Sequence, residues 1–435
     1  VIVKEALLAK IAGRDLQVGV VGLGYVGLPL AVVFAQAGFE VIGVDLDAGK
    51  VQLINGGQSP IGDVSTETLS SLVANGRLRA TTDYEALRAT GVIVICVPTP
   101  LRKTRDPDVS HIVAAADRVA HIGSAGKLIV LESTTYPGTT EEIILPRLSA
   151  DGIVVGQDFF LAFSPERIDP GRTDYGLTNT PKVIGGITAD CLETAVAFYG
   201  TAVQQVVPVS STAAAEMVKL LENTFRAVNI GLVNEMALMC DRLGLDVWEI
   251  VEAASTKPFG FMPFYPGPGM GGHCLPVDPH YLSWKLKTLN YEARFIELAA
   301  EINRAMPEYV AGKVADALND IARPVRDSRI LLLGVAYKPN VADIRESPAL
   351  DVLYLLRDKG ADVHYHDPYV QTLEEAGFPD ESVILTAKTL READCIVVIT
   401  NHDGYDWPWI ARQAKLIIDT RNALRGVPAA NIISI

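Results

Sequence analysis

Residues 17–45 read QVGVVGLGYVGLPLAVVFAQAGFEVIGVD, and few folds accept that order of residues. QVGVV is a short apolar strand, GLGYVG a turn, 28–37 a helix and 40–45 a second strand. Gly22, Gly24 and Gly27 make a GxGxxG spacing directly between strand and helix. The first glycine permits the tight turn, the second lets a pyrophosphate approach the backbone, and the third lets helix and strand pack closely. Asp45 closes the second strand 18 residues after Gly27. A carboxylate there accepts from both ribose hydroxyls and repels a 2′-phosphate, so NAD is expected in preference to NADP. Tyr25 and Val26 of the turn are expected at the same cofactor site, as are Pro98, Thr99 and Thr134 at the ends of later strands.

Two further apolar strands follow, GVIVICVPTP (91–100) and KLIVLEST (127–134). Strands alternating with helices imply a parallel sheet covered on both faces. The pattern returns after Asp327 as RILLLGVAY (329–337), a helix at 348–359, ADVHYHDP (361–368), CIVVIT (395–400) and KLIIDT (415–420). Between them, residues 211–244 contain no proline and one internal glycine, a helix of about 50 Å. The expected fold class is α/β: two doubly wound domains joined by a long central helix and a helical middle. The expected boundaries are 1–208, 209–325 and 326–435.

A formal charge of −14 argues against bulk attraction to nucleic acid or an anionic membrane. The five cysteines form no CxxC pair, the histidines no HExxH, and neither a disulfide framework nor a metal site is expected. Residues 1–13 carry two lysines and a glutamate in place of a signal peptide's apolar core, and no apolar run reaches about 18 residues. A cytoplasmic protein is expected.

Cys274 lies in PFYPGPGMGGHCLPVDPHYLSWK (263–285). A lone cysteine is ordinarily a small buried hydrophobe. Its glycine- and proline-rich surroundings describe a shaped loop instead, and a thiol beside a dinucleotide site can trap an aldehyde and carry oxidation on to an acid. His273 is adjacent in sequence and therefore diverges from Cys274, so a structural or substrate contact is expected of it.

Lys219 and Asn223 share a helix face, four residues apart. Glu166 stands in the loop FSPERIDPG, and Asp278 follows Cys274 by four residues. Taken alone, Lys219 reads as a solvated lysine and Glu166 as a surface carboxylate, and spacing leaves the choice open. GVAYKPNVADIRESPA (334–349) lacks GxGxxG, so no second NAD is expected there. It offers Lys338 and Arg345 before a helix N-terminus, with Arg421 at the same sheet edge, a setting suited to phosphate. An exposed cation is the ordinary alternative for each.

The blocks VGLGYVGLPLA (21–31), ESTTYPGT (132–139), SPER (164–167), EMVKLLENTFRAVNI (216–230), GGHCLPVDP (271–279) and AYKPNVADIRESPA (336–349) together resemble the UDP-glucose/GDP-mannose dehydrogenase family. The cysteine block looks most like the branch that oxidises UDP-N-acetylglucosamine for bacterial surface polysaccharide. The resemblance implies a four-electron oxidation of a UDP-sugar C6 alcohol by two NAD⁺. Cys274 would form the thiohemiacetal and thioester, and Lys219, with Asn223 beside it, would stabilise oxyanions. Asp278 would move protons and activate water, Glu166 would serve thioester hydrolysis, and Thr134 would order a water. Lys338 would meet the nucleotide sugar, with Arg167, Gly271, Arg345 and Arg421 on the substrate side. Related enzymes carry an arginine upstream of the cysteine loop that reaches a partner's site. Here the nearest cation is Lys257, a point charge without a bidentate fork.

Two other classes compete: a two-electron dehydrogenase of the 6-phosphogluconate or hydroxyisobutyrate type, and a non-catalytic nucleotide-sugar sensor. Two, one or no NADH per sugar distinguishes the three. UDP-N-acetylglucosamine is the expected substrate, ahead of its galactosamine, mannosamine and glucose counterparts. The long helix is apolar on most sides, so a second copy is expected to cover it in a homodimer or higher oligomer.

Overall fold

The structure, a computed structural model, describes residues 2–102, 106–149, 152–168 and 174–435. It contains two sheets, each the centre of one compact unit. One unit comprises Val1–Glu222 and His280–Asn290, the other Asn223–Pro279 and Tyr291–Ile435. The chain thus passes between units at 222/223, 279/280 and 290/291.

The first sheet holds β1 (Gln17–Val21), β2 (Glu40–Val44), β3 (Leu78–Thr81), β4 (Val92–Ile95), β5 (Leu128–Leu131), β6 (Phe160–Phe163), β7 (Lys182–Gly186) and β8 (Val206–Val209). Its order is 3-2-1-4-5-6-7-8. Neighbours run parallel except β6 and β7, which pair antiparallel. Alternate side chains enter opposite layers: Val18, Val20, Val92 and Val94 one core, Val21, Ile93 and Ile95 the other. Each such side chain contributes about 1.5–3 kcal/mol on leaving water, which is why these strands read as unbroken apolar runs.

The second sheet holds β9 (Arg329–Leu333), β10 (Asp362–His366), β11 (Cys395–Val398), β12 (Ile417–Asp419) and β13 (Ile432–Ser434), all parallel, in the order 10-9-11-12-13. In each sheet the order reverses beside the first strand, between β1 and β4 and between β9 and β11. Such reversals open a crevice at the strands' carboxyl ends. The α/β class with doubly wound sheets is therefore as expected from sequence. Strands β3, β6, β7, β8 and β13 were not foreseen, being short or interrupted by polar residues.

The long helix runs Thr212–Leu243, followed by helices Val247–Ser255, Asp278–Lys287 and Arg294–Asp320. Among the described residues no helix is long and apolar enough to cross a membrane.

Candidate active site

At the first sheet's reversal, Gly22 has φ +89°, and a Cβ there would collide with the Cys96 carbonyl oxygen. A Cβ at Gly27 would strike the Gly22 carbonyl, whereas one at Gly24 would meet nothing within 4 Å. The turn is therefore closed toward the protein and open at its middle glycine, the cradle a dinucleotide pyrophosphate needs. Tyr25 is exposed, Val26 is the N-cap of helix Gly27–Gln36, and the buried Thr99 accepts at its carbonyl from the Tyr281 hydroxyl.

Asp45 stands just past β2, as the ribose contact requires. Its carboxylate accepts from Leu23 N at 2.9 Å, Asp47 N at 3.0 Å and Lys50 Nζ at 3.0 Å. Burial alone raises the Asp45 carboxyl, but these two amides and Lys50 hold it below its ordinary value. Lys50 escaped the sequence reading because it begins no motif; it reaches Asp45 only through the turn of helix Ala48–Asn55.

One stretch of the long helix holds two loops of the first unit. Glu216 accepts from Gly138 N at 2.6 Å and from Thr140 N and Oγ1 at 2.9 and 2.7 Å, fixing the segment that carries Thr134. Lys219 Nζ donates to the Glu166 carbonyl at 2.5 Å. Glu222 takes Arg167 NH2 at 2.5 Å, and Arg167 NH1 donates to Pro181 O at 2.6 Å. Lys219 is 8% exposed, so the solvated-lysine alternative does not describe it.

Glu166 Oε1 accepts from the amides of Arg167 and Ile168, both at 2.7 Å, and Oε2 lies 3.3 Å from Lys182 Nζ. Burial pushes its carboxyl up, but Lys182, the Ile168 amide, Lys219 and the Arg167 amide together hold it below the usual range. It is not the surface carboxylate that a loop position suggests. Residues 169–171 at the end of that loop lie outside the described residues.

In the second unit Asn223 Nδ2 donates to Asp278 Oδ2 at 2.5 Å, and both are buried. Cys274 is partly buried, and its carbonyl accepts from Val277 N at 3.1 Å and Asp278 N at 2.8 Å. The cysteine thus occupies the N-terminal end of the turn that leads into helix Asp278–Lys287. Gly272, with φ +93°, donates its amide to Arg345 O at 3.1 Å, and a Cβ there would lie 2.7 Å from the Tyr337 ring. A Cβ at Gly271 would lie 2.9 Å from Tyr337 and 3.0 Å from Pro348. Paired glycines let the cysteine loop lie directly on the 334–349 turn.

Lys338 lies over the Tyr337 ring at 5.6 Å. Arg345 donates Nε and NH2 to Asp343 at 2.9 and 2.6 Å, so its fork is engaged within its own turn. His273 feels that pair: burial and Arg345 lower its pKa while Asp343 raises it, in keeping with a structural contact. Arg421 Nε donates to Ile399 O at 2.9 Å and its guanidinium lies against Gly267. Lys257 is exposed, with Nζ 5.0 Å over the Phe259 ring.

The first unit therefore gathers the glycine turn, Asp45, Pro98, Thr99, Thr134, Glu166, Arg167 and Lys219. The second gathers Asn223, Gly271, Cys274, Asp278, Lys338, Arg345 and Arg421, with Lys257 on an exposed segment. Asn223 and Asp278 sit at the chain's crossings between the units. Glu132, Lys182, Tyr199, Glu216 and Tyr337 were not foreseen. Glu132 stood inside the quoted block ESTTYPGT, but nothing in that string says which oxygen meets which cation.

Comparison with known proteins matches the chain in three successive segments. Residues 16–203 match the family model described as UDP-glucose/GDP-mannose dehydrogenase family, NAD binding domain. Residues 213–305 match the same family's central domain, and 331–426 its UDP binding domain. The chain is 36% identical over 423 residues to a UDP-N-acetyl-D-mannosamine dehydrogenase of Pyrococcus horikoshii, covering 96% of this chain and 98% of that one. It is 35% identical over 359 residues to a UDP-N-acetyl-D-glucosamine 6-dehydrogenase of Pseudomonas aeruginosa, covering 82% and 84%. The solved structure of a UDP-D-ManNAc dehydrogenase from Pyrococcus horikoshii superimposes with a TM-score of 0.88 at 36% identity, covering 96% of this chain and 98% of the other.

Proposed function

We propose that this chain, which belongs to the UDP-glucose/GDP-mannose dehydrogenase family and is an NAD-dependent UDP-sugar dehydrogenase, oxidises the C6 alcohol of a UDP-2-acetamido sugar to the carboxylate. Per sugar, one CH₂OH group, one water and two NAD⁺ give one carboxylate, two NADH and three protons. NAD, held by the 22–27 turn and Asp45, supplies the hydride acceptor for each oxidation.

The protein's own residues then have separate tasks. Cys274 adds as thiolate to the carbon of the intermediate aldehyde, and the carbonyl oxygen takes a proton to give a thiohemiacetal. After the second oxidation the sugar is a thioester on Cys274. Asp278 removes a proton from the attacking water, with Glu166 and Thr134 assisting; the C–S bond breaks, sulfur leaves as thiolate, and the acid keeps the water's oxygen. Lys219 carries a preorganised positive charge for the oxyanions of these steps. Lys338, Arg421 and Arg345, with Arg167 and Gly271, serve the nucleotide sugar, and Lys257 is the cation nearest in sequence to where the family carries its inter-subunit arginine.

The observation that carries this reading is the turn joining Cys274 to Asp278. It sets nucleophile and carboxylate one turn apart, with the carboxylate oriented by Asn223. For the sugar, the relatives' names share the 2-acetamido group and differ in which hexosamine carries it. The sequence reading placed N-acetylglucosamine first, and the relative with broader coverage is named for N-acetylmannosamine. Its product, a uronic acid, suits surface polysaccharide synthesis.

A homodimer completes the proposal. Leu221, Leu232 and Leu243 of the long helix are 59%, 55% and 70% exposed, and a second copy packed on this helix removes that apolar surface from water.

A panel of UDP-sugars scored by NADH released per sugar tests the whole reading. Two NADH, with a 2-acetamido sugar preferred, is expected; one NADH overturns it. Cys274→Ser is expected to bind NAD normally and release no free acid, because a serine hydroxyl is a far poorer nucleophile than a thiolate at neutral pH. Free acid at the wild-type rate from this variant removes the thioester.

A further inference from the structure

Behind Glu166, in the first unit, lies a set of ionisable groups for which the chemistry above has no use. Lys182 Nζ contacts Glu132 Oε2 at 2.6 Å and Glu166 Oε2 at 3.3 Å. Tyr199 OH donates to the other oxygen of Glu132 at 2.5 Å. Lys182, Glu132 and Tyr199 are 3%, 1% and 0% exposed. Burying such charges costs several kcal/mol per ion, and apolar residues of similar volume commonly do as well for stability. Stability alone therefore gives little reason for this set.

Topology explains how Lys182 arrives there. β7 pairs antiparallel with β6, with Phe163 opposite Gly185 and Ala162 opposite Gly186. Continuing that register by three residues brings 166 opposite 182. The lysine that opens β7 thus meets the carboxyl edge of the sheet, where Glu132 follows β5. In an all-parallel sheet a strand's first residue lies at the opposite edge, away from the cofactor crevice.

We propose that Lys182 is a positioning residue for Glu166. Braced by Glu132 and Tyr199, its ammonium holds the Glu166 carboxylate in one orientation for thioester hydrolysis, while the same loop offers its Glu166 carbonyl to Lys219. Two amides on Oε1 and one ammonium on Oε2 leave that carboxylate little freedom to rotate. The ordering of Glu166 is then built into the sheet, independent of bound sugar. This assignment rests on the hydrolytic role given to Glu166 and on the Cys274 thioester.

The test is a double-mutant cycle on the whole enzyme with the best UDP-sugar of the panel, using Lys182→Met, Glu166→Gln and both together. Each variant is scored by turnover, by the burst of NADH per site and by intact mass for an acyl adduct on Cys274. Lys182→Met is expected to turn over about 100-fold more slowly, with a full burst of two NADH and accumulated adduct. The double variant is expected to be no slower than Glu166→Gln, because Lys182 acts through that residue. Lys182→Arg, which keeps the charge, is expected to restore part of the rate. Multiplicative losses in the double variant, or a Lys182→Met that slows the first hydride transfer equally and holds no adduct, overturn the assignment. If Lys182→Met does not fold, Tyr199→Phe enters the same cycle, since it loosens the brace and keeps every charge. Adduct accumulation and about tenfold slower turnover then support the assignment, and unchanged turnover overturns it. A wild-type count of one NADH per sugar overturns the four-electron reading and this assignment with it. A count of two with multiplicative losses overturns this assignment alone.

Discussion

Asn223 donates Nδ2 to Asp278 Oδ2 at 2.5 Å while its own Oδ1 accepts from Arg226, so the amide is held at both ends. Neither oxygen nor nitrogen can exchange places without facing a like partner. The bond joins the long helix to the first residue of the helix after the cysteine loop, residues 55 apart in sequence.

Asn223→Ala strips both partners. A buried carboxylate and a half-buried guanidinium left short of hydrogen bonds cost about 1–3 kcal/mol, and turnover is expected to fall about 10- to 100-fold, with NAD affinity unchanged. Asn223→Asp is expected to be worse, since it sets two carboxylates side by side. Thermal unfolding with steady-state kinetics checks both variants; wild-type turnover in Asn223→Ala disproves the orienting role.

At the cofactor end, Lys50 lies 3.0 Å from Asp45. Asp45→Ala removes the ribose acceptor and leaves that lysine without its carboxylate partner, at the place a 2′-phosphate would occupy. NAD is expected to bind about tenfold more weakly and NADP to become measurable. Adding Lys50→Ala is expected to abolish the NADP gain. Fluorescence titration of both cofactors decides, and unchanged NAD affinity in Asp45→Ala means another residue holds the ribose.

The second sheet places Asp367 after β10, the counterpart of Asp45 after β2. Here both oxygens are engaged: Oδ2 accepts from Val335 N, Ala336 N and His402, and Oδ1 from Tyr369 N and Val370 N. The side chain is sealed from solvent, which suits a unit expected to hold no second NAD. Burial raises the Asp367 carboxyl, but His402 and the amides bring it below its ordinary value. A depressed pKa gives stability that is present above the unfolded value, about 3.9, and is lost as pH falls through the folded one. Asp367→Asn is expected to cost about 3 kcal/mol at pH 7 and to flatten the acid side of the stability curve. Thermal melts at pH 7 and below pH 4 measure both effects; an unaltered acid limb shows that other carboxylates set it.

Leu232→Asp adds a charge at a position that is 55% exposed in the single chain, so each subunit is expected to fold. Dimers are expected to give way to monomers of reduced activity, seen by light scattering at micromolar concentration. A wild-type protein that is monomeric there disproves the dimer.

Much of the fold was legible because its signals are local. Unbroken apolar runs mark strands buried on both faces, and the glycine spacing at 22–27 marks the turn that follows one of them. Cys274 was legible as a candidate from its glycine- and proline-rich loop, whereas Lys219, Asn223 and Asp278 drew their roles from the resemblance of their blocks to the family. β6 and β7 were not legible, since four or five residues flanked by polar loops carry little periodicity.

What the sequence determined by itself was therefore a set of pieces: two α/β halves, a dinucleotide turn, a shaped cysteine loop and a lysine–asparagine helix face. Only the tertiary structure decided their pairings: Lys50 on Asp45, Lys182 between Glu132 and Glu166, Asn223 on Asp278, and Tyr337 beneath the paired glycines. Periodicity and spacing report which groups neighbour one another along one element. A partner 50 residues away is chosen by strand direction and register, and the antiparallel pairing of β6 with β7, invisible in composition, is what carries Lys182 to the edge where Glu166 stands.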